Sequence, residues 1–468
     1  MPSGKTQPAR GMRDFLPADV RRRQYVINVI RHVYEHYGFE PLETPAVENI
    51  ETLLGKYGEE GNQLIFKILK RGEHEKTGEA DLALRYDLTV PLARVVAQYQ
   101  NELPRFFKRY QIQPVWRAER PARGRFREFY QCDVDVLGSR SMVVEAEIFA
   151  AASEVLITLG FNDFTIRLNH RLVLTGLLEQ AGVARDKQAE VLIALDKMDK
   201  AGAEGVAREL NQRGIVDESA VKLMRFFEGL AGAERAANLV DLDGGETRTA
   251  FNADVLGRLV EFIGPHETGA SGIDDLRQIL EYCRASGVAA RIKLDPTLAR
   301  GLAYYTGTIM EINVKDLPGS LGGGGRYDNL VGMFAGQEVP ACGFSLGLER
   351  IIVVMSEREM FPGELVGPGT SADVMVSVWN SDSIVDAIKL ASELRSGGLR
   401  VDLYPEADKL GKQFKYASEH GISFVTVVGD DERAGDEVAI KDMRTGEQRS
   451  VKRDGVADAI RAALNSVA

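Results

Sequence analysis

The chain has 468 residues, 44% of them hydrophobic, and a formal net charge of -11. That length fits about three domains, and the acidic balance excludes a protein that coats nucleic acid indiscriminately, because phosphate binding runs on clustered Lys and Arg. No run reaches the roughly 18 to 20 apolar residues of a membrane helix, the first dozen residues lack the apolar stretch of a secretory signal, and Cys132, Cys283 and Cys342 have neither disulfide nor metal-ligand spacing. A cytoplasmic globular protein with no protein-only metal site and no membrane contact is expected.

From Arg21 to Tyr37 the residues Tyr25, Val26, Val29, Ile30, Val33, Tyr34 and Tyr37 repeat at helical spacing, and Gly38 follows where a helix ends. The stripe suits either a core helix or a contact between two copies of the chain. FEPLETPAVE, with Pro41 and Pro45, reads as an edge strand or loop, and LIFKILKRG and DLALRYD read as strands. Pro91 fits the first turn of a helix through PLARVVAQYQ.

Next comes a hairpin. In RFFKRYQIQPVWRAER the residues Arg109, Gln111, Gln113, Val115, Arg117 and Glu119 share one face, with Tyr110, Ile112, Pro114 and Trp116 on the other. After a loop bearing Arg120, Arg123, Arg125 and Arg127, Tyr130, Cys132, Val134 and Val136 form an apolar face, while Phe129, Gln131, Asp133 and Asp135 point the opposite way. Such a sheet has one wet side or floors a polar pocket.

Residues 171 to about 290 carry helical patterns such as Ile273, Leu276, Ile279, Leu280 and Cys283, with almost no alternation, and read as a helical insertion. Strand signals return at RIKLDPTLARGLAYYTGTIMEINV, a glycine run GGGGRYDNL follows, and CGFSLG leads into the helix LERIIVVM. FPGELVGPGTS reads as a linker. Beyond it, VMVSVW, SIVDAIKLASELRSGG, RVDLYP, LGKQFKYASEHG, SFVTVVG, EVAIKD and VADAIRAALN alternate as strands and helices of a compact α/β domain.

Taken singly these motifs say little. GGGGRYDNL lacks the spacing of a phosphate loop or dinucleotide fingerprint and reads as a tight turn. Arg350 in GLER fits a charged helix surface, and Tyr304 and Tyr305 fit core aromatics with a satisfied hydroxyl.

Their order says more. The amphipathic helix before a proline, the strand and loop WRAERPARGRFRE, and the strand-to-helix GFSLGLER resemble the three motifs of class II aminoacyl-tRNA synthetases, and LARGLAYYTG and GGGGRYDNL resemble two peptides of the histidine-tRNA ligase family. The resemblance implies an α+β fold in which an antiparallel six-stranded catalytic sheet with flanking helices is followed by an anticodon-binding domain. On that plan residues 1–170 and 291–362 form the catalytic domain, 171–290 the helical insertion, 363–371 a linker and 372–468 the α/β anticodon-binding domain.

The activity implied is ATP-dependent ligation of L-histidine to its tRNA through a histidyl adenylate, with Mg²⁺ and a homodimer. Arg117, Arg300 and Arg350 match the catalytic arginines. Arg117, Glu119, Arg125 and Arg350 match ATP-binding positions, and Asp87, Thr89, Arg117, Gln131, Asp135, Arg300, Tyr304 and Tyr305 match the histidine pocket. Arg123, Lys412 and Lys415 are the expected tRNA contacts, the last two with Lys409, Gln413 and Tyr416 in or beside one helix. Ala303 stands where many relatives carry an acid. The alternative is a histidine-sensing regulatory paralogue of ATP phosphoribosyltransferase, which usually lacks the anticodon module and catalytic arginines.

Overall fold

The computed structural model describes residues 6–71, 77–215, 217–236, 245–299, 304–366 and 372–465. The chain divides into two compact units, Met1–Asp14 with Arg23–Met360, and Phe15–Arg22 with Phe361–Ala468.

The first unit is organised by its strands: β1 (Glu40–Pro41), β2 (Val47–Asn49), β3 (Lys67–Leu69), β4 (Ala80–Leu84), β5 (Phe107–Trp116), β6 (Glu128–Leu137), β7 (Thr165–His170), β8 (Ile292–Leu294), β9 (Thr308–Asn313), β10 (Gly322–Arg326) and β11 (Ala341–Gly347). Eight of them form one sheet in the order β1-β5-β6-β11-β10-β9-β7-β8, and β2-β4-β3 form a small second sheet. The six inner strands of the large sheet pair antiparallel throughout. The expected six-stranded antiparallel sheet is therefore present, extended at each edge by a short parallel strand, β1 on β5 and β8 on β7. These edge strands are too short to carry the alternation by which a strand is read.

Register gives the large sheet two unlike faces. Tyr110, Val134, Phe344, Gly324, Met310 and Leu168 lie in one row across the back. Behind them pack the helices Pro17–His36 and Val143–Thr158, the first placing Val26, Ile30, Val33 and Tyr34 in the core. The apolar stripe offered by the sequence to a second copy is thus largely spent within the protomer. Tyr34 Oη donates to Cys132 O at 3.3 Å, and Tyr37 Oη to Glu154 at 2.8 Å.

The front face is polar. One row runs Gln111, Asp133, Ser345, Gly323, Glu311, Arg167, and the next runs Arg109, Asp135, Gly343, Gly325. The glycine run that reads as a turn is instead strand β10, in the middle of this sheet. A Cβ on Gly324 would stand 2.1 Å from Gly343 O, and one on Gly325 2.9 Å from the Tyr305 ring. Close approach of backbone and aromatic rings, rather than turning, selects glycine here.

Between β7 and β8 lie the helices Arg171–Gln180, Gln188–Leu195, Met198–Gln212, Asp217–Ala236, Gly245–Ile263 and Glu267–Ala285. In the second unit β12 (Val374–Val376), β13 (Val401–Leu403), β14 (Phe424–Val427), β15 (Glu437–Asp442) and β16 (Gln448–Lys452) form a sheet in the order β13-β12-β14-β15-β16, parallel over its first three strands. Val374, Val376, Leu390, Leu394, Phe424, Ile440 and Ile460 fill one side of it and Met375, Val425 and Ala439 the other. Strand β16 has no counterpart in the sequence reading, since QRSVK is an exposed edge without apolar alternation.

Candidate active site

The front of the large sheet gathers buried polar groups over a floor of glycines. Gln113 pairs across the ladder with Gln131, Gln111 with Asp133 and Arg109 with Asp135. Gly343 lies beside Asp135 on the next strand, where a Cβ would meet Asp135 Oδ1 at 1.8 Å. A Cβ on Gly323 would meet Met310 O at 3.4 Å, an ordinary contact, so glycine is not forced at that position by crowding.

Arg109, fully buried, is the cation of this cluster. Its Nη2 lies 2.8 Å from Asp135 Oδ2 and 3.8 Å from Asp133 Oδ2, and its Nη1 donates to Gln111 Oε1 at 3.1 Å. The Asp135 contact is close but off the alignment of a hydrogen bond, and so acts as an ion pair. Asp135 Oδ1 accepts from Tyr327 Oη at 2.5 Å. Gln131 Nε2 donates to Ser345 Oγ at 3.0 Å, while Gln131 Oε1 and Asp133 Oδ1 have no hydrogen-bond partner among the described residues. Burial raises the Asp135 carboxyl above the usual range, opposed by the Arg109 charge.

Asp87 follows β4 and is held by three donors: Val90 N at 3.0 Å, Tyr57 Oη at 3.0 Å and Tyr304 Oη at 3.2 Å. Burial raises its carboxyl, opposed by Val90 N–H and the Arg117 charge. Thr89, half-buried, opens the helix Thr89–Gln98. The Tyr305 ring sits edge-on to Tyr304, 5.0 Å between centroids, and burial together with Asp87, Asp133 and Asp135 keeps its hydroxyl protonated. Asp87, Gln131, Asp135, Tyr304 and Tyr305, named from sequence, are thus brought together.

Arg117 stands at the end of β5, where its Nε donates to Tyr86 O at 3.1 Å and its guanidinium lies 4.4 Å from the Tyr86 ring centre and 5.2 Å from that of Phe129. Stacking on two rings fixes the fork while leaving its edge for an anion. The arginine-rich loop closes through paired backbone bonds between Ala122 and Arg125, with Gly124 at φ 66°. Beneath this tip lies Arg350, donating to Ser320 O, with its stem so close to Gly124 that a Cβ there would be 3.2 Å from Arg350 Cγ. Exposed Arg125 pairs with half-buried Glu119 at 3.4 Å.

Other expected contacts sit differently. Arg123 is already engaged by the Glu357 carboxylate and by Asp316 O at 2.8 Å; such an exposed pair is weak, because solvent screens it. Gln413 cannot meet a nucleic acid, because it is fully buried and bonds both Val378 N and Val378 O, locking two segments of the second unit together. Lys412 and Lys415 are exposed on the helix Leu410–Glu419 and pair with Asp408 at 2.9 Å and Glu419 at 3.6 Å. Arg300 and Ala303 lie outside the described residues.

Sequence reasoning gave no role to Arg109, Gln111, Asp133, Ser345, Tyr57 or Tyr327. The alternation already placed Arg109, Gln111 and Asp133 on the polar face. Nothing local marks Tyr57 or Ser345.

A family model described as Histidyl-tRNA synthetase matches residues 11–351. The chain belongs to that family. A second model, described as Anticodon binding domain, matches residues 373–463. The chain is 39% identical to the Histidine-tRNA ligase of Flavobacterium johnsoniae over 97% of its own length and 98% of that relative's. It is 41% identical to the one from Porphyromonas gingivalis, covering 95% and 96%. Among solved structures, the histidyl-tRNA synthetase from Nostoc sp. PCC 7120 superposes with a TM-score of 0.78 at 33% identity, covering 98% of this chain and 99% of that one. An ATP phosphoribosyltransferase regulatory subunit/histidyl-tRNA synthetase from Bacillus halodurans C shares the fold, with a TM-score of 0.69 at 20% identity over 89% of this chain. In this family member the glycine-floored polar face is the place to look for chemistry.

Proposed function

We propose that this face holds histidine and ATP side by side and that the chain ligates L-histidine to its tRNA through a histidyl adenylate. The observation that carries the reading is the buried acceptors Gln131 and Asp135, each paired with a glycine of β11, together with buried Asp87 and the ring-stacked Arg117. Asp87, Thr89 and Gln131 would receive the α-ammonium, and Asp135 with Tyr305 the imidazole, whose neutral ring offers one donor and one acceptor. Arg300 would help to position histidine and neutralise the charge that develops on it.

The histidine carboxylate attacks the α-phosphorus in line and pyrophosphate leaves; the adenylate then passes its histidyl group to a hydroxyl of the terminal ribose of tRNA, releasing AMP. Neither step needs a protein nucleophile. Arg117 would grip the α-phosphate and the carboxylate, and Arg350, with Glu119 and Arg125 in the same loop region, the rest of the nucleotide. Permanent, planar charge suits these posts because it meets the charge that develops in the transition state. Mg²⁺ neutralises triphosphate charge and would travel with the nucleotide, Glu119 being the carboxylate that this loop offers it. Exposed Lys412 and Lys415 would meet tRNA phosphates, and Arg123 the acceptor end.

The regulatory reading expects the C-terminal module and the catalytic arginines to be missing, whereas Arg117 and Arg350 are present and residues 373–463 match an anticodon-binding model. A second copy of the chain is the proposed partner; the cleft lined by Leu42, Pro45, Val47 and Tyr99, with Val47 and Tyr99 at 38% and 40% exposure, supports that reading, and sedimentation tests it. The deciding experiment is exchange of labelled pyrophosphate into ATP with each of the twenty amino acids. Exchange with histidine alone is expected; exchange with another amino acid, or with none, overturns the assignment.

A further inference from the structure

Asp133 is a buried titratable group that the proposed reaction leaves unused. It is 2% exposed, lies on β6 midway between Gln131 and Asp135, and its Oδ1 has no hydrogen-bond partner among the described residues. The groups that act on it come from every side: Arg109 from β5, Asp135 from β6 itself, Ser345 from β11, and Asp87 from the turn after β4, with Tyr305 under the field of the same acids.

Two carboxylates therefore share one guanidinium, unequally. Asp135 takes the short contact, 2.8 Å against 3.8 Å, and also accepts from Tyr327 Oη. With Asp135 the better-stabilised anion, Asp133 is the member that burial drives toward the neutral acid. Burial is the largest cause of its shift, opposed by Arg109 and by a hydrogen bond from Ser345 and reinforced by Asp135 and Asp87, and its carboxyl is pushed up to about 7.

We infer that Asp133 is a further residue of the histidine pocket, a carboxylic acid in the empty site that gives up its proton when the ammonium-bearing amino acid enters, so that histidine binding is coupled to proton release. The O–H bond of Asp133 breaks, the proton goes to water, and the carboxylate left behind faces the ligand's positive charge. No bond to the ligand forms. The inference rests on the histidine reading above.

The test is Asp133→Asn, which has nearly the same shape and stays neutral at every pH. The KM for histidine in pyrophosphate exchange is measured for both proteins from pH 6 to 8.5; the ligand's own ionisations cancel in the ratio of variant to wild type. That ratio is expected to rise on the order of tenfold between pH 6 and 8, as the ionised fraction of a group titrating near 7 does, while the KM for ATP stays put. Asp133→Glu, which restores a carboxylate, should bring back a pH-dependent KM. A ratio that differs from one but stays flat with pH shows packing alone and overturns the inference, as does an unchanged KM. Should the Asn variant not fold, calorimetry of histidine binding to the wild type near pH 7, in buffers of different ionisation enthalpy, decides: no proton released overturns it. Loss of histidine-dependent exchange in the wild type would instead remove the reading on which it rests.

Discussion

The large sheet of the first unit buries an arginine with carboxylates on each of its faces, and the two clusters are built differently. On the back, Arg326 grips Glu145 through Nε and Nη2, both at 2.7 Å, while its Nη1 reaches Ser139 O at 3.0 Å and Asp328 Oδ1 at 3.3 Å; Thr308 also donates to Glu145. On the front, Arg109 is divided between Asp133 and Asp135, and Gln131 Oε1 and Asp133 Oδ1 are left without a hydrogen bond among the described residues. Buried polar groups are nearly always satisfied in folded proteins. A saturated cluster is then part of the scaffold, and an unfinished one, over glycines, is a place for a ligand to finish.

Variants can break this contrast. The largest effect is expected at the rim of the unfinished side: Arg117→Ala should lower histidine-dependent exchange by about 10³-fold or more, the scale for removing a preorganised charge from a transition state, with thermal unfolding little changed. Glu145→Gln attacks the finished side. Breaking a buried pair costs about 3–5 kcal/mol, so denaturant titration should show a large loss of stability, while the KM for histidine in the protein that remains folded is unaltered. Asp135→Asn also breaks a buried pair, so stability should fall there too, but with Asp133 still beside Arg109 by less than in Glu145→Gln; what sets the front face apart is a histidine KM raised on the order of 10²-fold.

The same contrast sets a pH dependence. The Asp133 carboxyl is raised in the folded state to about 7, so its favourable contribution is complete below the unfolded carboxylate value and is lost as pH climbs through about 7. The ligand-free protein should lose thermal stability between pH 6 and 8, and the Asn variant should flatten that loss. The smallest effects belong to the second unit: Lys412→Ala with Lys415→Ala should raise the KM for tRNA in aminoacylation a few-fold and leave pyrophosphate exchange untouched, as expected for exposed phosphate contacts.

Much of this contrast is legible in the chain because alternation is a local property of a strand. Arg109, Gln111 and Asp133 stand on the polar face in the sequence reading as they do in the structure, and the order of the motifs leads to the fold and family. Three of the features that the sequence left unread show why the rest was not legible. The glycine run gives no alternation, so its place at the centre of a sheet depends on Phe344 and Tyr305 arriving from elsewhere. Gln413, next in sequence to exposed Lys412, lies with Ala417 on the buried side of its helix and is bonded to the Val378 backbone, 35 positions away. Tyr327 finds Asp135 across 192 positions.

Periodicity, turn chemistry and motif order depend on neighbours in the chain, and for that reason the sequence alone determined the hairpin, the helices, the family and the candidate arginines. Which buried oxygen is left without a partner depends on strand register between segments hundreds of residues apart. Only the tertiary structure could decide that Glu145 saturates Arg326 while Asp133 is left open beside a shared Arg109.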